Sequence, residues 1–232
     1  MRPAIAMLEL IFAIVIMGII LMSAPRLIST AAESGYVAIQ QEGINEAASQ
    51  VNMIMGYHWD ENDANQSYID PILRVTSGDN ELEEVNPTGR RVGTPLASYR
   101  TFIRSDGEDN LTATISSAFA TDVEAEEDDI DDFADSSTNL ALTPEGTSVA
   151  EYVETNITIA RDVIYSDDTA DYAQSTITFD PSFADAGDTS NIKSITVTVT
   201  SADDAPDELD KEIILHGFSC NIGGYKLEER EF

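Results

Sequence analysis

The chain has 232 residues and carries 12 Lys and Arg against 43 Asp and Glu, giving a formal net charge of −31 at pH 7. A surface this acidic repels phosphate backbones and anionic lipid, so the composition excludes nucleic acid as a partner. All but two of the net negative charges follow residue 56, where one domain's length of chain remains. The composition therefore predicts an acidic globular domain over 57–232.

The first apolar stretch covers residues 5–24 and contains one charged residue, Glu9. A helix of this length rises about 30 Å, which matches the hydrocarbon thickness of a bilayer. We therefore expect 5–24 to span a membrane, with the lipid bilayer as a partner. A carboxylate costs roughly 2.5–3.5 kcal/mol at the centre of a membrane helix and less near an end. Glu9 therefore either reaches the interface or is kept for a partner group.

The helical pattern continues beyond the apolar stretch. From Ile28 to Ile54 apolar residues recur every three or four positions, and the opposite face is polar. Gly56 supplies a stop signal, and Pro25 can kink the helix because it lacks a backbone donor. We expect residues 25–56 to form the extramembrane part of one long helix, with its apolar stripe covering a sheet.

The acidic region shows the period of half-buried strands at several places. Turns rich in glycine, proline and aspartate separate these runs, which favours antiparallel connections. The predicted fold class is α+β, in which a long N-terminal helix packs against an antiparallel β-sheet. The predicted strands are 111–119, 157–165, 176–179, 192–200 and 212–220.

Residues 122–135 hold nine carboxylates and no cation. A block of like charges usually stays solvated, so we expect an exposed loop there. Calcium is the alternative, because it takes six to eight oxygen ligands. No stretch has the EF-hand spacing, and the acidic loops at 60–63 and 167–171 are similar candidates. The prediction is no cofactor, with calcium left open at the weak candidate residues Asp106, Glu108, Asp109 and Asn110.

Residues that could carry enzyme chemistry are scarce. His58 and His216 have no companion ligands at zinc spacing, and neither a phosphate-cradling glycine loop nor a Gly-x-Ser-x-Gly elbow occurs. The sequence therefore predicts a protein that is not an enzyme. The single cysteine, Cys220, excludes an internal disulfide and is expected to be a small buried residue. The single tryptophan, Trp59, is expected to be a packing anchor just beyond the helix.

The N-terminal residues resemble a known family. Ala4, the run Ile-Ala-Met-Leu-Glu-Leu-Ile from Ile5, and then Gly18 are similar to the processing and anchor segment of type IV pilins and type II secretion pseudopilins. The resemblance implies that a prepilin peptidase cuts between Ala4 and Ile5, removes the leader peptide 1–4 and methylates the new amino terminus. The chain departs from the family at several positions. It has Ala4 where glycine is most frequent, Ile5 where phenylalanine is usual, and one leader cation, Arg2. Pro25 stands one residue earlier than the proline often found after the anchor.

The resemblance also implies a role for Glu9 in assembly. A free amino terminus has an unperturbed pKa near 7.7–8.0, so it is largely charged at neutral pH and costly to bury unpaired. In filaments of this family it pairs with the corresponding glutamate of a neighbouring subunit. The implied partners are other pilin or pseudopilin subunits and an inner-membrane assembly platform. The implied location is the bacterial inner membrane, single-pass with a periplasmic C-terminal domain, followed by a periplasmic or extracellular filament.

Two hypotheses for function follow. The first is a structural subunit of a type IV pilus or a type II secretion pseudopilus, with a size that favours a minor or tip component. The second is a monomeric membrane-anchored binding or adhesion domain that does not polymerise. The two differ in whether Glu9 has a partner on another chain.

Overall fold

The structure is a computed structural model with one long helix and one four-stranded sheet. It describes residues 2–64, 70–85, 89–94, 100–103, 111–121, 127–142, 153–179, 182–201 and 210–224. The helices are α1 (Arg2–Ile54) and the single turn α2 (Asn80–Glu83). The strands are β1 (Ser136–Leu142), β2 (Val153–Tyr165), β3 (Ile192–Ser201) and β4 (Ile213–Cys220). The predicted α+β class is confirmed.

The sheet is an antiparallel meander in the order β1-β2-β3-β4. Strand β3 lies at its centre, where Ile195 pairs with Val163 of β2 and with Gly217 of β4. Ile195, Val197 and Val199 are buried, while the intervening threonines of β3 are partly exposed. Side chains alternate between the two faces of a strand, so this spacing directs one apolar row toward α1.

Helix α1 packs its C-terminal half on this row. Ala47, Val51 and Ile54 are buried in the same core as the β3 residues. The helix then ends at Ile54, and the Gly56 amide donates to the Met53 carbonyl at 2.9 Å, as the predicted stop requires. The N-terminal part of the predicted stripe differs from expectation, because it extends beyond the sheet and leaves its apolar side chains exposed.

Two glycines let the helix approach the sheet closely. A Cβ at Gly43 of α1 would lie 3.3 Å from Val199 Cγ1. A Cβ at Gly217 of β4 would lie 2.8 Å from Val51 Cγ1 and 3.1 Å from Met55 Sδ. A valine side chain has little rotamer freedom in a helix, so Val51 cannot readily move away. The short distance between the helix and the sheet therefore requires glycine at positions 43 and 217.

Three of the predicted strands are confirmed, at 157–165, 192–200 and 212–220. The predicted strand 111–119 is wrong. Its pairing with another segment is one isolated bridge between Thr112 and Arg74, and Ser116–Ala118 forms a short 3-10 helix. Side chains bond the backbone between them. The Thr114 amide donates to Asp60 Oδ2 at 2.9 Å, and the Thr114 carbonyl accepts from the Tyr165 hydroxyl at 2.6 Å. The predicted strand 176–179 is also absent, and Phe179 instead contacts the Phe218 ring, with centroids 5.5 Å apart.

We expect Gly217→Ala to lower the free energy of unfolding by about 1–3 kcal/mol, because the added methyl overpacks the helix–sheet layer. Urea unfolding of the detergent-solubilised chain, followed by the fluorescence of the buried Trp59, measures the change. Gly35→Ala is the matched control. Gly35 lies on α1, and a methyl group added there would have nothing within 4 Å, so alanine should be neutral or stabilising. Equal stability of Gly217→Ala and the wild type would contradict the close packing.

Candidate functional site

The N-terminal part of α1 is an uncovered apolar helix. Its large apolar side chains from Met7 to Met22 are all more than half exposed. The helix is long and apolar enough to cross a membrane, by its length and composition. Such a surface is stable in lipid and unfavourable in water. This part of the chain is therefore a candidate membrane anchor, joined without a break in the helix to the part that packs on the sheet.

Glu9 is exposed on this apolar helix. Ala4 and Ile5 lie in the same helix, and Ile5 precedes Glu9 by four residues, about 6 Å of rise. The structure therefore brings the three predicted N-terminal residues onto one helix within two turns. Among the residues from Met7 onward whose side chains the structure describes, no cation contacts the Glu9 carboxylate, so the helix presents it to its surroundings.

The second candidate is a buried group of charges at the other end of α1. We call it the Lys193 cluster, and it comprises Lys193, Asp60, Asp63, Asp129 and Asp131, each at most 4% exposed. The Lys193 ammonium lies 2.9 Å from Asp60 Oδ2 and 2.6 Å from Asp131 Oδ1. The cluster therefore sets one cation against four carboxyl groups in the protein interior.

The Lys193 ammonium is also enclosed by backbone and rings. It donates to the Trp59 carbonyl at 2.7 Å. Its nitrogen lies 4.2 Å from the Trp59 ring centroid, 5.1 Å from that of Phe119 and 5.2 Å from that of Tyr165. Aromatic faces attract a cation most strongly where water is excluded. The ammonium is therefore held by two carboxyl groups, one carbonyl and three rings.

Asp60 is fully bonded as an acceptor. One of its oxygens accepts from the Asn62 amide at 3.1 Å and from the Thr114 hydroxyl at 2.8 Å. The other accepts from the Thr114 amide and from Lys193, and the Tyr165 hydroxyl, which donates to the Thr114 carbonyl, lies 3.3 Å from it. Asp60 is therefore the carboxyl group of the cluster whose two oxygens are both satisfied by donors.

The other carboxyl groups are held toward their neutral forms. Burial raises the pKa of Asp63 to about 8 and that of Asp131 to about 8, and it raises the pKa of Asp129 to about 7. The Lys193 charge opposes this rise at all three but does not cancel it. One ammonium cannot neutralise four carboxylates, so the surplus carboxyl groups retain protons near neutral pH.

The expectation that 122–135 forms an exposed loop is wrong for its described part. Asp129 is 1% exposed and Asp131 is 4% exposed. Asp131 begins a short 3-10 helix, Asp131–Phe133, and its amide donates to Asp129 Oδ1 at 2.7 Å. The acidic run contains two apolar residues, Ile130 and Phe133, whose side chains pack in the core. Their burial places the adjacent carboxyl groups in the protein interior.

Lys193 is not among the functional candidates predicted from the sequence, although its position carries a signal. Lys193 is in phase with Ile195, Val197 and Val199, so strand alternation directs it to the buried face. A lysine is almost never fully buried without a partner. A lysine at an inward position of a predicted strand therefore indicates a buried anion.

The calcium candidates have separate outcomes. Asp106, Glu108, Asp109 and Asn110 lie outside the described residues. In the calcium candidate at 60–63, the Asp60 carboxyl group contacts the Lys193 ammonium, which lies where a bound calcium ion would have to lie. Within the described ranges, no group of three or more His, Cys, Asp or Glu side chains is arranged to hold a metal ion.

The remaining single residues have local roles. Trp59 is 6% exposed and its indole donates to the Ser219 carbonyl at 3.3 Å, which confirms the predicted packing anchor. His58 Nδ1 lies 3.1 Å from Asp70 Oδ2. Cys220 is partly exposed instead of fully buried, and burial of its thiol still raises the pKa.

Comparison with known proteins gave no matching protein family, no matching curated protein and no matching solved structure.

The raised pKa of Asp63 predicts a pH-dependent stability. Between pH 3.8 and about 8, Asp63 keeps its proton in the folded state, whereas the unfolded chain has released it. The free energy of unfolding therefore decreases as the pH rises from about 4 to about 8. Asp63→Asn keeps an oxygen to accept from the Asp60 amide. We expect the variant to match the wild type at pH 4 and to exceed it by about 1–2 kcal/mol at pH 8.

Urea titrations at both pH values measure this difference. Glu42→Gln is the control, because it removes one negative charge at an exposed position of α1. A constant difference between Asp63→Asn and the wild type across the pH range would contradict the buried, protonated carboxyl group.

Proposed function

We propose that this chain is a structural, non-enzymatic subunit of a type IV pilus or a type II secretion pseudopilus, with its size favouring a minor or tip component. The observation that carries the proposal is Glu9, a lone exposed carboxylate on the apolar part of a helix that continues into the domain core. A carboxylate in lipid is costly unless it has a partner. The amino terminus of a neighbouring subunit, made by cleavage between Ala4 and Ile5, would supply that partner.

The exposed apolar surface beyond the anchor supports assembly over a simple tether. Leu27 and Ile28 are each 70% exposed, and Val37 is 64% exposed. Val37 lies thirteen residues past the end of the apolar stretch, which is about 20 Å along the helix and outside the hydrocarbon of a bilayer that holds 5–24. Packing against helices of neighbouring subunits would remove these side chains from water, whereas a monomeric tether would leave them exposed.

The proposed cellular path follows from this arrangement. A prepilin peptidase processes the chain at the inner membrane, with the acidic domain in the periplasm. An assembly platform then extracts the subunit from the lipid bilayer into a filament of pilin or pseudopilin subunits. The acidic surface of 57–232 repels anionic lipid and so favours a domain held clear of the membrane.

Glu9→Gln should reduce recovery of the protein in sheared filaments by roughly tenfold or more, because an unpaired amino terminus costs at least about 1.4 kcal/mol at each contact. The measurement compares the filament and membrane fractions of a bacterial host that assembles the wild-type chain. Glu33→Gln is the control, since it removes a carboxylate from an exposed position of the same helix outside the apolar stretch. Glu9→Asp keeps the charge and should retain partial assembly.

Unchanged filament recovery for Glu9→Gln would favour the monomeric tethered binding or adhesion domain. The same result would remove the role of Glu9 as the partner of a neighbouring amino terminus.

Ala4→Leu should block processing, because the peptidase of the resembled family cuts after a small residue. Mass spectrometry of the N-terminal peptide is expected to show a methylated Ile5 terminus in the wild type and an intact leader in the variant. Ala6→Leu, two residues beyond the cut, is the control and should be processed. A wild-type chain from cells that keeps Met1 and carries no methyl group would overturn the proposed processing.

A further inference from the structure

The Lys193 cluster holds an amine and a carboxyl group in contact within a dry, aromatic enclosure. The Lys193 nitrogen lies 2.6 Å from Asp131 Oδ1, and neither group is exposed. Apart from that ammonium, no donor among the described residues bonds either oxygen of the Asp131 carboxyl group. Asp60, in contrast, has every oxygen occupied by donors. The two carboxyl groups that contact Lys193 therefore differ in their hydrogen bonding, since Asp60 is fully bonded and Asp131 is not.

We infer that Lys193 and Asp131 form an intramolecular amide cross-link autocatalytically, with Asp60 as the base that takes a proton from the lysine. The reacting atoms are the Lys193 Nζ and the Asp131 Cγ. The link would join the first residues of β3 to the short helix Asp131–Phe133 by a covalent bond. This inference is independent of filament assembly.

The reaction balances without any co-reactant. The Lys193 ammonium gives one proton to the Asp60 carboxylate, and the neutral amine then attacks Cγ of the protonated Asp131 carboxyl group. A new C–N bond forms and one C–O bond breaks. The second amine proton leaves with the departing hydroxyl group as water. The products are an amide, one water molecule and a protonated Asp60, so the cluster goes from a buried ion pair to neutral groups.

The surroundings of the cluster favour this chemistry. An uncharged carboxyl group is the better electrophile, and burial raises the pKa of Asp131 to about 8, so the group retains its proton at neutral pH. The rings of Trp59, Phe119 and Tyr165 exclude water, which would otherwise stabilise the separated charges and hydrolyse the product. Holding the two groups in contact converts a reaction between separate molecules into an intramolecular one.

The amide bond also removes the desolvation cost of a buried ion pair. A buried ion pair is costly to desolvate, and its attraction often only offsets that cost. The amide keeps the contact between β3 and Asp131–Phe133 while eliminating both charges.

The test is peptide mapping of the full wild-type chain, purified in detergent, unfolded and digested with a glutamate-specific protease. Cleavage after Glu127, Glu145, Glu154 and Glu208 places Asp131 in peptide 128–145 and Lys193 in peptide 155–208. These peptides are not adjacent in the sequence, so a missed cleavage cannot imitate their linkage. We expect one branched species with their summed mass less one water, and fragmentation should locate the bond at Lys193 and Asp131.

Variants separate the roles of the three residues. Asp131→Ala and Lys193→Met should abolish the branched species. Asp131→Asn should restore the identical linked peptide, because an asparagine amide loses ammonia where the acid loses water. Asp60→Asn should lower the linked fraction, since it removes the proton acceptor.

Other outcomes overturn the inference. Separate 128–145 and 155–208 peptides from folded wild-type protein, with no branched species, would show that the cluster is an ion pair only. A branched species joining 155–208 to peptide 47–61 would place the bond at Asp60 and reject the assignment of Asp131. Because the readout is mass and not assembly, either result stands whether or not the chain forms filaments.

Discussion

The folded domain depends on the contact between Lys193 and Asp60. Lys193 belongs to the central strand of the sheet, whereas Asp60 follows the end of α1 and accepts from the backbone and side chain of Thr114. One ion pair therefore joins the helix end, the sheet and an irregular segment whose backbone pairing is a single isolated bridge between Thr112 and Arg74. Removing one member of such a pair leaves a buried charge uncompensated, which typically costs about 3–5 kcal/mol.

The contact between Lys193 and Asp60 is unusual because more carboxyl groups surround it than one ammonium can neutralise. Most of the chain's 43 acidic residues can remain in water, yet four carboxyl groups gather around one ammonium. The carboxyl groups beyond Asp60 are accommodated by retaining protons, since burial raises the pKa of Asp63 and Asp131 well above the usual range. The acidic residues therefore occur in two settings in this protein, exposed at the surface and buried around one lysine with raised pKa values.

The parts of the fold that the sequence predicts are those with a regular period. The apolar stripe of α1 and the alternation of β3 depend on neighbours a few residues away, so their pattern is visible in the chain itself. The edge strand β1 is missed because its residues Ser136, Ser137 and Thr138 are polar and alternate only weakly. The segment 111–119 is misassigned because its alternation is genuine, while its only bridge among the described residues is to Arg74 and the backbone of Thr114 is bonded by the side chains of Asp60 and Tyr165.

The candidate sites divide in the same way. Glu9 is evident as a lone charge in an apolar run, whereas the Lys193 cluster draws on residues separated by more than a hundred positions. Two features of the sequence make the Lys193 cluster difficult to predict. The charge run around Asp131 looks solvated, and Lys193 looks like an ordinary strand residue unless its phase with Ile195 is noted. A tertiary charge cluster of this kind leaves no local period to detect.

The continuity of α1 has a mechanical consequence. The helix that presents the apolar N-terminal surface is the same element whose last turns contact Gly217 and Val199. A pull along its axis therefore loads the helix–sheet layer in shear, with Ala47, Val51 and Ile54 sliding together past the strands. Such loading distributes force over many contacts at once, so the domain resists tension better than a domain hung from a flexible linker would.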